Sequence, residues 1–288
     1  MAEITVQTID QILDVLVSQD TPHLDIGAVD FIDPYGLLLL ALAIRHRSLN
    51  GSAPRIRWPR SRRVRSWMDA MGFADQIDGF PEMPGNPPPS RSTALQPITA
   101  IAQEEKVSQL VNGFDHRLSE RYPLTKQSRN ALVKVMLELF QNIPQHSNAT
   151  GELSDPHGLA AMQDYTDSVF LAVADMGIGL RRSLALREEF AQLNDKSALN
   201  KIVFDGMSRF ADPGRGGELR RIARLVRKWD GIFAVRSGEA LLYMDTEHGD
   251  VYDAPFFPGL QIAVRLSRHV FGIEPSPVDN ESFIGFNE

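Results

Sequence analysis

Residues 36–44, GLLLLALAI, are apolar without interruption, and the run continues through RHRSLN to Gly51, a pattern that predicts a helix ending at that glycine. Ahead of it, HLDIGAVDFID mixes apolar and β-branched positions as a strand does. Behind it, RIRWP reads as a short strand and RSWMDAMGF as an amphipathic helix. After a proline-rich break the pattern resumes. LQPITAI predicts a strand and VSQLVNGFDHRLSERY a helix. SRNALVKVMLELFQNI predicts a stronger helix, with Ala131, Leu132, Val135, Met136, Leu139, Phe140 and Ile143 on one broad face. SVFLAVADMGIG is a strand running into glycines, and GELRRIARLVRKW is a basic amphipathic helix. IFAVRSGEALLYM predicts two strands about a Ser237–Gly238 turn, followed by the strand LQIAVRL.

These elements form two groups. FPEMPGNPPPSRS can neither continue a helix nor pair in a sheet, so the boundary falls there. The scheme is an amino-terminal unit over 1–78, a linker over 79–94, a second domain over 95–272 and a tail over 273–288. A chain of 288 residues exceeds a typical domain of about 100 to 200 residues, which favours two separate cores. The fold class is α/β: a small α/β domain, then a two-layer α/β sandwich with helices on one face of a mixed sheet.

Composition narrows the chemistry. The net charge of -7 argues against a protein that neutralises long stretches of nucleic acid. With no cysteine, disulfides, thiolate zinc sites and thiol nucleophiles are excluded. The start MAEITVQTID has no basic, apolar leader, and the 36–44 run is about half a membrane span, so a soluble, cytoplasmic protein is expected.

Glu138, Asn142 and His146 lie four apart and share one side of the strong helix, at the margin of its apolar face. Some thirty residues on, a strand ends in Asp175, with Gly177 and Gly179 allowing close backbone approach. A third element, Gly214, Arg215, Gly216 and Gly217, opens the basic helix, whose free N–H groups and positive dipole end suit a phosphate. Each element also has a bland reading: a solvated stripe, an ordinary turn, a flexible loop.

In this order, ELFQNIPQHS, ADMGIG and GRGGEL resemble the three nucleotide boxes of the GHKL ATPases, the family of gyrase, histidine-kinase catalytic domains and anti-sigma serine kinases. The resemblance covers about 95–270. It implies a Bergerat ATP site in which Asn142 ligates Mg²⁺, Asp175 accepts from the adenine amino group, Glu138 is the general base, and residues 180–213 form a mobile lid. Three positions depart from the pattern. Glu218 replaces the last glycine of the second box and puts a carboxylate near the phosphates. Leu260 follows Gly259 where the family has a threonine hydroxyl, and Pro144 lies in the helix just after Asn142, where the helix is expected to end or bend.

Residues 24–74 resemble a STAS domain at FIDPYGLLLLALAIRHRSLNG, with Asp33 and Gly36 placed as in that family's loop. Pro34 stands where phosphorylated members have serine, which implies a docking or sensory unit rather than a phosphoacceptor. The arginines at 55, 57, 60, 62, 63 and 65, with Trp58 and Trp67, are read as a solvated or domain-facing surface. The function these resemblances imply is an ATP-binding regulator of the anti-sigma or serine-kinase type. It would use Mg-ATP to gate or phosphorylate a protein partner docked through the amino-terminal unit, with a homo-oligomer possible. The alternatives are a non-catalytic nucleotide-binding interaction module and the ATPase component of a larger machine.

Overall fold

The computed structural model describes residues 3–18, 20–77, 94–101, 103–146, 158–210 and 217–267. The tail, and all of the linker except Ala94, lie outside the described residues. The amino-terminal unit runs β1 (Glu3–Ile4), α1 (Asp10–Val17), β2 (His23–Asp25), β3 (Phe31–Ile32), α2 (Pro34–Leu49), β4 (Arg55–Arg57) and α3 (Arg62–Ala70). β1 pairs with β3 and β2 with β4, both parallel. The stretch HLDIGAVDFID, expected as one strand, is therefore two strands in different sheets. The Asp25 carboxylate accepts from Gly27 N at 2.9 Å and Val29 N bonds back to Ile26 O at 3.1 Å, turning the chain between them.

The second unit comprises β5 (Ala94–Ile101), α4 (Val107–Arg121), α5 (Lys126–His146), β6 (Gly158–Asp164), β7 (Ser168–Asp175), α6 (Gly179–Leu184), α7 (Asp195–Asn200), α8 (Glu218–Lys228), β8 (Ile232–Met244) and β9 (Gly249–Ser267). The α/β class holds, but the sheet is not mixed. Its order is β5-β6-β7-β9-β8, and every neighbouring pair is antiparallel. Tight turns account for two of the four pairs: β6 returns as β7 through Tyr165–Asp167, and β8 returns as β9 through Asp245–His248, and such short connections join only antiparallel strands. The second hairpin also corrects the expected turn at Ser237–Gly238. β8 runs through that pair with a shift of register, and the reversal occurs where Asp245 Oδ1 accepts from Glu247 N (2.9 Å) and His248 N (2.8 Å). α5 carries Pro144 in its last turn and ends at His146.

Alternation along the strands sorts their side chains between two cores. Val169, Leu171 and Val173 of β7, Phe233 and Val235 of β8, and Ile262 and Val264 of β9 join α4, α5, α7 and α8. The intervening residues face the amino-terminal unit: Ala161, Ala172, Ala263 and Ala234 are paired in register across four strands. This alanine row makes a shallow bed for α2, whose residues 34–44 are all buried. A helix apolar on every side has no face to give to water. The amino-terminal unit therefore shares one core with the outer face of the sheet, where separate cores were expected. Trp67 Nε1 donates to Gln163 Oε1 (3.0 Å) and Ile98 N bonds to Met71 O (2.9 Å) across the same boundary. Among the described residues no helix is long and apolar enough to cross a membrane.

Candidate functional site

α5 carries Glu138 and Asn142 one turn apart, as its periodicity dictates. Asn142 borders a small cavity of about 60 Å³, together with Gly217 and Glu218 at the start of α8, Leu260 of β9, and Met207 and Arg209. Glu138 sits deeper. Its Oε1 lies 3.5 Å from Arg221 Nη2, and Arg221 reaches Glu218 Oε1 at the same distance. Burial pushes the Glu138 carboxyl above its ordinary range, Arg221 opposes that shift, and Glu218 adds to it. The carboxylate expected to repel phosphates is thus already bridged by a guanidinium, as is the expected general base. Arg221 is a residue that sequence reasoning missed. Its i,i+3 spacing from Glu218 was visible, but nothing in the sequence joined it to Glu138, 83 positions earlier.

Asp175 ends β7 and is 3% exposed. Its Oδ1 accepts from Gly177 N at 2.6 Å and the carboxylate also receives the Leu260 N–H, yet burial dominates and raises the group to about 7. The strand end is clamped from β9: Gln261 Nε2 donates to Asp175 O (2.8 Å) and to Pro258 O (2.7 Å). Gly259, at φ +86°, lies so close that a Cβ there would stand 2.3 Å from Asp175 O, so only glycine fits. Position 260 carries leucine, and the hydroxyl found nearby comes from the neighbouring strand. Ser237 Oγ donates to Gly259 O (2.9 Å) and accepts from Leu180 N (2.8 Å), joining β8, β9 and the start of α6. At that start Gly179 has φ +74°, and a Cβ would press on Ser237 Oγ at 2.8 Å. Gln261 was not singled out from sequence and Ser237 only as a turn residue, because only the sheet register brings Gln261 to Asp175 and Ser237 to the adjoining Gly259.

The segment expected as a lid is built into the core over much of its length. Leu184, Phe190, Ala198, Leu199, Ile202 and Val203 are buried with the helical layer. α7 is tied to the sheet by Asp195, which takes Arg181 Nε (3.0 Å) and Glu239 N (3.0 Å). A wider helical turn at Lys201–Asp205 then leads to Met207 and Arg209 beside Asn142. Small-molecule sites span about 300–1,000 Å³, so in this arrangement the space beside Asn142 does not fit a nucleotide; lining residues such as Met207, Ser208 and Arg209 would have to withdraw. Gly217 caps α8 at the cavity wall, whereas Gly214, Arg215 and Gly216 lie outside the described residues, as does the His146 side chain. Among the described residues no three His, Asp or Glu side chains group to hold a metal. Mg²⁺ at Asn142 would draw most of its oxygens from phosphates and water.

In the amino-terminal unit Asp33 caps α2, with Oδ1 accepting from Gly36 N (2.7 Å) and Oδ2 from Val6 N (3.1 Å), and Pro34 fills the first helical turn. Tyr35 is fully buried, so it offers no accessible hydroxyl for modification. Arg55, Arg57, Arg60, Arg62 and Arg63 are exposed, and Arg57 pairs with Asp25 at 3.0 Å. A scan against protein-family models and a search of curated proteins each returned no match for this chain.

Proposed function

We propose that the chain is a cytoplasmic ATP-binding regulatory protein, of the kind that the anti-sigma and serine-kinase resemblance implies, acting on a protein partner docked through the amino-terminal unit. One observation carries the reading: Asn142, the start of α8 at Gly217 and Glu218, and Leu260 line a single cavity, and the Leu260 N–H bonds to the Asp175 carboxylate, which itself does not line it. Asn142 would hold Mg²⁺, Asp175 would receive the adenine amino group, and the α8 N-terminus would face the phosphates. Bound Mg-ATP supplies a transferable γ-phosphoryl group. The chain's own part would be to open residues 207–209, position the phosphates, and release Glu138 from Arg221 before that carboxylate could take a proton.

The Glu138–Arg221 bridge and the cavity of about 60 Å³ favour a second reading, in which nucleotide binding alone is the output and no phosphate is transferred. Calorimetric titration with Mg-ATP and Mg-ADP, followed by a γ-phosphate transfer assay with co-purifying proteins, separates them. Binding with transfer supports the regulator-kinase reading, and binding without transfer the second. No binding of either nucleotide rejects both.

A further inference from the structure

A cleft of about 300 Å³ lies between the amino-terminal unit and the outer face of the sheet, away from Asn142. That volume falls at the lower end of small-molecule sites, which favour boundaries between structural units. Glu3, Phe31 and Asp33 come from one unit, and Tyr165, Phe170 and Arg265 from the other, so neither unit forms the site alone. Four aromatic residues line it, Phe31, Tyr165, Phe170 and Tyr243, and the first three stand in a chain. Phe31 and Tyr165 lie 6.5 Å apart between centroids, and Tyr165 and Phe170 lie 6.4 Å apart, edge to face.

The polar groups define what such a cleft would take. Its cation, Arg265, is already engaged: Nε donates to Ser168 Oγ (2.9 Å), Nη2 meets Asp167 Oδ1 (3.2 Å), and the guanidinium stands 5.9 Å from the centre of the Tyr165 ring. Its charge is paired with the Asp167 carboxylate. The acidic side is better provided, with Glu3 and Asp33 both lining the cleft, the latter at 6% exposure. The Asp33 oxygens take backbone N–H groups from Val6, Tyr35 and Gly36, and a carboxylate offers about four acceptor positions, so capacity remains. Burial raises this carboxyl to about 7 against the opposing effect of its backbone N–H donors and the Arg265 charge, and a further cation bound beside it would favour the ionised form.

We propose that the cleft between the amino-terminal unit and the sheet binds a small organic amine with an apolar or aromatic body, its ammonium group on Asp33 and Glu3 and its body against Phe31, Tyr165 and Phe170. Ring faces attract an ammonium group electrostatically, and a partly buried carboxylate pairs with it. The proposal shares no residue with the Asn142 cavity and stands apart from the nucleotide reading. An amine held there would bridge both units of the chain.

The test is calorimetric titration of the full chain at neutral pH with three probes of one shape: phenethylamine, 2-phenylethanol and phenylacetate. Phenethylamine is expected to bind about tenfold tighter than the alcohol, and phenylacetate more weakly than either. Asp33→Asn, which keeps a helix cap but removes the charge, should shrink the amine's advantage to about threefold or less. Tyr165→Ala should weaken amine and alcohol alike. Equal binding of amine and alcohol, preference for the acid, or no heat from any probe at millimolar concentration would overturn the proposal. The three-probe comparison uses the unmodified chain, so it decides the matter even where a variant fails to fold.

Discussion

Arg236, fully buried on β8, forms an ion pair with Asp10 in the first turn of α1 and donates from Nη1 to Pro255 O at 2.9 Å. The next residue, Ser237, points to the opposite face and holds Leu180 N and Gly259 O beside Asp175. Two adjacent strand positions thus connect the amino-terminal unit to the candidate nucleotide site. Asp10→Ala leaves a buried guanidinium without its carboxylate and should cost about 3 kcal/mol. Asp10→Leu with Arg236→Met should recover most of that loss. Denaturant midpoints of the three variants against the parent chain measure it, and an Asp10→Ala cost below about 0.5 kcal/mol would place the pair among weak surface bridges.

Stability should depend on pH through Asp175. The native carboxyl keeps its proton to about pH 7, while an unfolded one ionises near 3.8. With the folded value raised, the stabilising contribution is fully present below about pH 4 and is lost as the pH rises to 7, at about 1.4 kcal/mol per unit. Asp175→Asn cannot ionise, so the difference in unfolding free energy between parent and variant should change with that slope across this window. A constant difference from pH 4 to 7 would show that Asp175 has an ordinary carboxyl.

The same substitution tests the adenine assignment. Asp175→Asn should weaken Mg-ATP binding about tenfold or more, whereas Met207→Ala, which enlarges the space beside Asn142, should strengthen it several-fold. Glu138→Ala should leave affinity nearly unchanged while removing any turnover, since a base acts on the transition state. Isothermal titration and single-turnover assays report both, and unchanged affinity in Asp175→Asn would remove adenine from that carboxylate.

Because α2 and the alanine row share one core, the chain should unfold in a single cooperative transition over both units. Ala172→Leu would intrude on the bed of α2 and should cost about 1–3 kcal/mol, and Leu40→Ala would open a cavity there and cost about 2–5 kcal/mol. Two separated thermal transitions, with Leu40→Ala lowering only the first, would mean that the units hold together weakly. The same packing limits any swing of the amino-terminal unit, so nucleotide should not change proteolysis of the 79–94 linker by releasing it.

What the sequence alone determined is local. The helices 34–49, 107–121 and 126–146 follow from apolar spacing, and the strand 168–175 and the 260–266 part of β9 from β-branched runs, because period and turn chemistry act over a few residues. The four-residue spacing of Glu138 and Asn142 likewise fixed their common side of α5. One further signal was present and went unused: nine consecutive apolar residues from Gly36 leave no polar face, and a helix of that kind must be buried on all sides. The tertiary structure decided everything that depends on register and on long-range approach. It set alanines 161, 172, 263 and 234 side by side, brought Gln261 to Asp175 and Ser237 to the adjoining Gly259, and turned Arg221 toward Glu138 rather than leaving it to solvent. These residues lie tens of positions apart in the chain. Which of them meet is set by how strands pair and how helices pack over them, and no local preference encodes that choice.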